Sequence, residues 1–401
     1  MTDSAVLDHP LPRIAARAEA AARARIAVEV TSRFADVAGF WGRLTRATDL
    51  DSPGQSLAFV ELWAETLGIP AADRLFVTAT VDGQPVLLLP LHLRRVGPLK
   101  MYTWFPGRHV GCNAPVADHE RLNAMTSDER RELWRRISLR VGGADLIYLP
   151  ALPHADGNPF AELGQSIDGD TLYRAEFTGW ENADKTQRSK SRRKHDRQQG
   201  ERLDAMGKVE FTELTNNDDT VPVIATMFRQ RAARFKTMGV ADPFAPAEVR
   251  AFYNNAAMPS SPVDVRLHVM RLNGEIVAVR YNVVSGSRMF CLISSMSCDA
   301  EIQNGSPGKQ CLLRVMQSIF ENGYTSFDMG AGFTDEKRHW CNVQIPVRHH
   351  YLPLSTNGRA VAFAHRMLKT ARHRVKSNPT LLSLAKRIRT AMHKPKASSE
   401  E

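Results

Sequence analysis

No stretch of this 401-residue chain approaches the ~20 consecutive apolar residues that a membrane-spanning helix requires. The first residues also lack the charged-then-apolar pattern of a secretory leader and show only an Ala/Arg-rich segment, Arg13 to Arg25. The expectation is a cytoplasmic protein. Cysteine is scarce: Cys112, Cys291, Cys298, Cys311 and Cys341 show no CxxC spacing. That speaks against a zinc site and against a disulfide framework, and it leaves reduced thiols in or near the core. His349-His350 has no carboxylate or cysteine at metal spacing. No metal is expected, and both histidines read as strand-surface residues.

Three catalytic signatures are missing as well. Gly308-Lys309 invites a phosphate loop, but Gln303 stands where its first glycine belongs and Gln310 where Ser or Thr should follow the lysine. Gly330-Ala331-Gly332 follows a strand, yet Asp335 occupies the slot of the third glycine in a dinucleotide fingerprint. GxSxG is absent, so a serine hydrolase of the α/β type has no support.

What the chain does have is positive charge, unevenly placed. Its 53 Lys/Arg against 43 Asp/Glu give a net charge of +10. Lys185 to Arg202 holds eight Lys/Arg, and His365 to Lys396 holds ten with no acidic residue among them. Such clusters suit an anionic partner, whether a phosphorylated cofactor, nucleic acid or an acidic membrane surface; the alternative is a solvated helix face.

The pattern of elements repeats. Leu75–Val81 and Val86–Leu93 read as strands around an Asp82-Gly83 turn. Lys100–Phe105 extends the sheet, Pro106–Pro115 is a loop, a helix capped by Ser127 carries Leu133, Ile137 and Val141, and Asp145–Leu149 is a buried strand. Later, Leu267–Leu272 and Ile276–Val284 flank Asn273-Gly274, followed by the strand Arg288–Ser295, a loop, a helix and the strand Ser326–Met329. This predicts a tandem duplication of one α/β unit. Each copy should hold a mixed, mostly antiparallel sheet flanked by helices. Between the copies, Gly179–Met206 reads as a charged helical stretch. The expected division is a flexible arm at 1–25, a first half at 26–178, a second at 179–355 and a basic amphipathic tail at 356–401, broken at Asn378-Pro379. The first half serves as scaffold or as one wall of an acceptor cleft. The tail suits an anionic membrane surface.

The segment Cys298–Trp340 is the chemical focus. Gly305-Ser306-Pro307-Gly308-Lys309 opens a helix whose Leu312, Val315, Met316, Ile319 and Phe320 share one face. Ser306 sits as N-cap, Pro307 as first helical residue, and Gly323 where the helix should stop. First-turn amides, the helix dipole and Lys309 together favour an anion; the plainer reading is a tight turn. The early helix offers Asp128 and Glu129 at the same place, which would repel phosphate.

These residues resemble the GNAT acyltransferase superfamily, and within it the CelD/BcsL-type branch related to the Fem peptidyltransferases. The likeness rests on Arg188–Gly207, Arg231-Ala232-Ala233-Arg234-Phe235, Ser306-Pro307-Gly308 with its helix, Phe327-Asp328-Met329-Gly330-Ala331-Gly332 and Lys337–Trp340. Glu336 departs from the family's tyrosine, and the first glycine of its acetyl-CoA loop is not reproduced. The resemblance implies an N-acyltransferase moving an acyl group from acyl-CoA or acetyl-CoA to a small-molecule amine, a sugar or peptide, in cell-envelope or exopolysaccharide metabolism. Gln303, Gly305, Ser306, Pro307, Gly308 and Lys309 would then hold the donor's pyrophosphate. Asp328 is the leading site carboxylate, with capping of the Gly330–Gly332 turn as its other role. Lys337 would meet phosphate or an acceptor carboxylate, and His268 and Tyr281 are candidates for proton transfer or core packing. Two rival expectations are a Fem-like transferase using aminoacyl-tRNA, with Lys185–Arg202 on the RNA and nucleic acid otherwise not expected, and a non-catalytic scaffold in polysaccharide synthesis attached to an anionic membrane surface at the inner face.

Overall fold

The computed structural model describes residues 25–46, 49–154 and 159–377. The first half runs β1 (Ile26–Thr31), α1 (Phe34–Thr45), α2 (Leu57–Thr66), β2 (Arg74–Val81), β3 (Gln84–Val96), β4 (Leu99–Trp104), a short β5 (Val116–Ala117), α3 (His119–Ala124), α4 (Ser127–Arg140), β6 (Leu146–Pro153) and β7 (Gln165–Glu176). Two connecting helices follow, α5 (Trp180–Gln187) and α6 (Lys190–Asp204). The second half runs β8 (Val209–Leu214), α7 (Thr220–Met238), α8 (Ala247–Ala256), β9 (Val265–Leu272), β10 (Glu275–Ser285), β11 (Arg288–Met296), α9 (Ala300–Gln303), α10 (Pro307–Glu321), β12 (Ser326–Ala331), α11 (Asp335–Trp340) and β13 (Val343–Pro353). Helix α12 (Thr356–Ser377) ends the described chain.

One sheet takes in every described strand, in the order β1-β2-β3-β4-β6-β13-β7-β12-β11-β10-β9-β8, with β5 beside β3. Reading inward from either edge gives the same succession. Four antiparallel strands lead to a parallel pair, β4 with β6 or β11 with β12, and then to an antiparallel neighbour. That neighbour is exchanged between the halves. β7 follows β6 in sequence but pairs with β12, whereas β13 follows β12 and pairs with β6; β7 and β13 then pair with each other at the centre. The duplication is therefore present in the strand order, and the exchange ties the copies together through backbone hydrogen bonds.

Local chemistry explains the repeat. Asp82-Gly83 and Asn273-Gly274 both have positive φ at each residue, the combination that closes a two-residue hairpin with the sheet's own twist. On one face α1, α2, α7 and α8 share a core with both halves of the sheet, including Trp41, Phe59, Trp63, Phe76, Met227, Phe252, Tyr253 and Tyr281. On the other face the cores are separate: Leu133, Trp134 and Ile137 of α4 cover the first half, and Leu312, Val315, Met316 and Ile319 of α10 cover the second.

Several expectations need correcting. The cap of α4 is Thr126, not Ser127, because only Thr126 stands three residues before Glu129 and can form the reciprocal capping box. The stretch Gly179–Met206 is two helices, interrupted at Arg188-Ser189, where Ser189 accepts from the Arg192 amide and starts α6. No strand was expected at 165–176, where β7 lies. Cys298 is exposed rather than near the core. His350 is buried, its Nδ1 2.9 Å from the Leu163 carbonyl, so it is a core residue and not a surface one. Residues 1–24 of the expected arm and the tail beyond Ser377, with its break at Asn378-Pro379, lie outside the described residues.

Candidate active site

Parallel strands β11 and β12 share only three rungs, Arg288–Ser326, Met289–Phe327 and Phe290–Asp328. Beyond them the strands part, so the β12-facing backbone of Cys291–Ser294 has no strand partner there. The first half repeats this: β4 and β6 share Met101–Leu146 and Tyr102–Ile147 and then separate. Both openings lead into one cleft of about 1010 Å³, with Cys291–Ser294 and Met329–Ala331 on the second-half side and Thr103–Phe105, Tyr148, Pro150 and Ala151 on the first.

What parts β12 from its neighbour is the turn at its end. Gly330 and Gly332 both have positive φ, a conformation that costs a non-glycine residue about 1 kcal/mol or more. Side chains brace this turn from two sides. Asp328 takes the Gly330 amide on Oδ1 at 2.7 Å and Arg174 Nε on Oδ2 at 2.8 Å, and Arg174 also reaches Asp51. Lys337 Nζ donates to the carbonyls of Gly330, Ala331 and Gly332 at 2.9–3.0 Å. Burial pulls the Lys337 pKa below its usual value. The structure thus brings Asp328 and Lys337 together around one turn; Lys337 lines the cleft and Asp328 lies behind it. The loop after β4 closes onto the same turn, where a Cβ on Gly111 would come within 2.6 Å of Gly330 Cα.

The entrance of α10 is built by α6 and α11 as well as by its own residues. Ser306 adopts φ +52 and makes no side-chain cap; its Oγ instead accepts from Gln199 of α6 at 2.8 Å. A side chain on Gly305 would run into Leu203, and one on Gly308 would meet Met296 Sδ. Gln303, in α9, donates to the Ser297 carbonyl. Positive charge gathers here: His339 is pushed below its usual pKa by burial and then by Arg192, Arg338 and Lys309. Arg192 and Arg338 are paired with Asp196 and Asp335.

Arg280 links this entrance to the cleft. It is 4 % exposed, and its Nη2 lies 3.0 Å from Glu336 and 3.4 Å from the Gly308 carbonyl, with Nε buried and unpaired. Burial is the largest influence and opposes its charge, but the Glu336 carboxylate together with Cys291 and Cys311 raises its pKa on balance. Arg280 was missed from the sequence, although one arginine inside the apolar run Ile276–Val284 was a signal, and Glu336 stood out there only as a departure from the family's tyrosine. The cleft also carries Arg94, Arg108, Arg231, Lys337 and Lys369, against the carboxylates of Asp170 and Glu336. Arg231 Nη1 donates to the Ser294 carbonyl on the parted strand. His349 lines the cleft beside Tyr148, its pKa lowered to about 4 by burial and by Lys369.

The two remaining candidates sit elsewhere. His268 is fully buried, with Nε2 3.3 Å from Glu213 and Nδ1 2.9 Å from Asn282. Tyr281 is fully buried and donates to the Tyr253 carbonyl at 3.0 Å. Neither lines the cleft. Among the described residues no group of three or more His, Cys, Asp or Glu could hold a metal ion.

With this geometry in place, the comparisons can be set beside it. The family model of the acetyltransferase (GNAT) domain matches residues 190–338, which span α6 to α11 and so contain the α10 entrance and the parted pair β11/β12. No curated protein matches the chain. Solved structures with similarity include the C-terminal domain of a protein named as a lysylphosphatidylglycerol synthetase from Agrobacterium fabrum, at 14 % identity and TM-score 0.49 over 83 % of this chain and 95 % of that one. FemX is similar at 12 % identity and TM-score 0.47 over 72 % and 94 %. A GCN5-related N-acetyltransferase from Kribbella flavida is similar at 10 % identity and TM-score 0.33 over 83 % and 73 %. The chain comprises two tandem GNAT-like α/β units; the family model covers most of the second, and the first repeats its strand order.

Proposed function

We propose that this protein is an N-acyltransferase that moves an acyl group from acyl-CoA, acetyl-CoA being the smallest such donor, to the amine of a small sugar or peptide acceptor. Its setting would be cell-envelope or exopolysaccharide metabolism on the cytoplasmic side. The observation that carries this reading is the parting of β11 from β12 directly before the α10 entrance, at the edge of a cleft whose charged residues are mainly cations.

A thioester donor has a phosphorylated end and a narrow reactive arm, and the two openings suit them in turn. At Gly305–Lys309 the pyrophosphate would meet the Gly308 amide and the Lys309 charge, the amides of Gly305, Ser306 and Lys309 already donating to backbone carbonyls. The arm would run between the parted strands, where backbone amides of Cys291–Ser294 are available to a developing oxyanion. The acceptor amine attacks the acyl carbon, the C–N bond forms, the C–S bond breaks, and the proton leaving nitrogen ends on the departing thiolate. Glu336, a carboxylate on the cleft wall, would take the extra proton of the acceptor ammonium before attack and pass it to solvent, leaving the neutral amine as the nucleophile. Asp328 and Lys337 position the turn that keeps the strands apart.

A second reading, transfer from aminoacyl-tRNA, is favoured by one feature: Lys190, Lys194 and Arg197 are exposed on α6, beside the α10 entrance. Native mass spectrometry of the freshly purified chain, followed by calorimetric titration with acetyl-CoA, separates the two. Bound or titratable acyl-CoA is expected. Absence of both, with tRNA binding that weakens steeply in salt, would support the second reading instead.

A further inference from the structure

Helix α12 packs one face on the sheet, and its opposite, apolar face has no partner among the described residues. Its inner face is fixed to the first half of the sheet: Ala362 is buried against Leu146 and Tyr351, His365 Nδ1 lies 2.9 Å from the Tyr351 hydroxyl, and Lys369 reaches His349 at the cleft. The opposite face consists of Ala360, Phe363, Ala364, Met367, Leu368 and Ala371, all exposed. Their spacing of i, i+3, i+4, i+7, i+8 and i+11 makes a single stripe along the helix. Phe363, Met367 and Leu368 are 63, 55 and 57 % exposed, more than an isolated surface apolar residue would explain.

The charge around the stripe selects its occupant. Arg359 and Arg366 border it, and from Thr356 to Lys396 the sequence holds no Asp or Glu. A second copy of the chain would bring the same cations face to face. A surface that is both apolar and negatively charged has neither conflict, and a bilayer containing anionic lipid is such a surface.

We propose that the outer face of α12 docks on an anionic lipid surface. The stripe enters the acyl boundary, the basic flanks meet headgroups, and the inner face, through Lys369 and His349, orients the cleft with respect to the bilayer. The assignment does not depend on which donor the cleft takes.

Co-sedimentation of the full chain with phosphatidylglycerol and with phosphatidylcholine vesicles tests it, alongside the double variant Phe363→Ser/Met367→Ser. The chain should bind phosphatidylglycerol at least about tenfold more tightly than phosphatidylcholine, and the double variant should lose at least about tenfold of that affinity. Thermal unfolding and acetyl-CoA binding of the variant should be unchanged, since neither side chain packs on the domain or reaches the cleft. Failure to bind phosphatidylglycerol, equal binding to both lipids, or undiminished binding by the double variant would overturn the proposal. So would self-association in sedimentation equilibrium that the double variant abolishes, because the stripe would then be an interface between copies.

Discussion

The two halves solve the same structural problem at their helix entrances in opposite ways. In the first half α4 seals itself: Thr126 accepts the Glu129 amide at 3.2 Å, Glu129 accepts the Thr126 amide at 2.9 Å, and Asp128 adds another negative charge. In the second half α10 begins with a left-handed Ser306 whose hydroxyl is turned to α6, then proline, glycine and lysine. The first entrance has its donors satisfied internally and repels anions. In the second the Gly305, Ser306 and Lys309 amides donate to the Ile302, Gln303 and Ser306 carbonyls, which leaves the Gly308 amide to an outside partner, with positive charge from three helices around it. The strand ends differ too. Past the last rung of β4/β6 stands Tyr148, stacked beside His349, whereas the last rung of β11/β12 ends on Asp328, in a buried ion pair with Arg174. The two copies share one framework and differ in the polar residues at these two places.

The largest expected effect is at Asp328. Replacing it with alanine leaves Arg174 buried without its main partner and frees the Gly330 amide, so Asp328→Ala should lower the free energy of unfolding by about 3–5 kcal/mol in urea titrations. Tyr148→Phe, at the corresponding end of the first pair, should cost less than about 1 kcal/mol. Equal losses would mean that the two strand ends are braced alike. Next comes the proposed anion site. Gly308→Asp should weaken acetyl-CoA binding about 100-fold by calorimetry, while Asp128→Lys on α4 leaves it unchanged. Because a Cβ at position 308 approaches Met296 Sδ at 2.8 Å, Gly308→Ala serves as the packing control and should retain most of the affinity. The smallest effect concerns capping. Thr126→Ala should destabilise by about 1 kcal/mol, and Ser306→Ala, which removes no cap, by about half of that. A reversed order in thermal melts would show that the α10 entrance depends on its serine as a cap after all.

Much of this contrast could be read from residues close together in the chain. Asp128 and Glu129 against Gly308 and Lys309 is a difference of adjacent side chains, and helix-end electrostatics depends on little else. The repeated Asx-Gly turns also announced the duplication, since a two-residue turn is fixed by its own φ angles. Asp328 stood out from its place beside the glycine turn, with the sequence leaving open whether it meets substrate or caps that turn; Lys337 was expected on phosphate or an acceptor carboxylate, and its Nζ holds the turn's carbonyls. His268 and Tyr281 were chosen for their chemistry, and burial placed both away from the cleft.

By itself, then, the sequence determined the local grammar: the helix periods, the hairpins, the glycine-rich turn, the two basic clusters and the unequal helix entrances. Each depends on interactions within a few residues. Tertiary structure alone decided the exchange of β7 and β13, the pairing of Arg174 with Asp328 and of Arg280 with Glu336, and the single cleft shared by both strand openings. Those partners lie 56 to 207 residues apart or on opposite halves of the sheet. Strand alternation says which face a side chain takes, but only the order of strands in the sheet decides which distant charge it meets there.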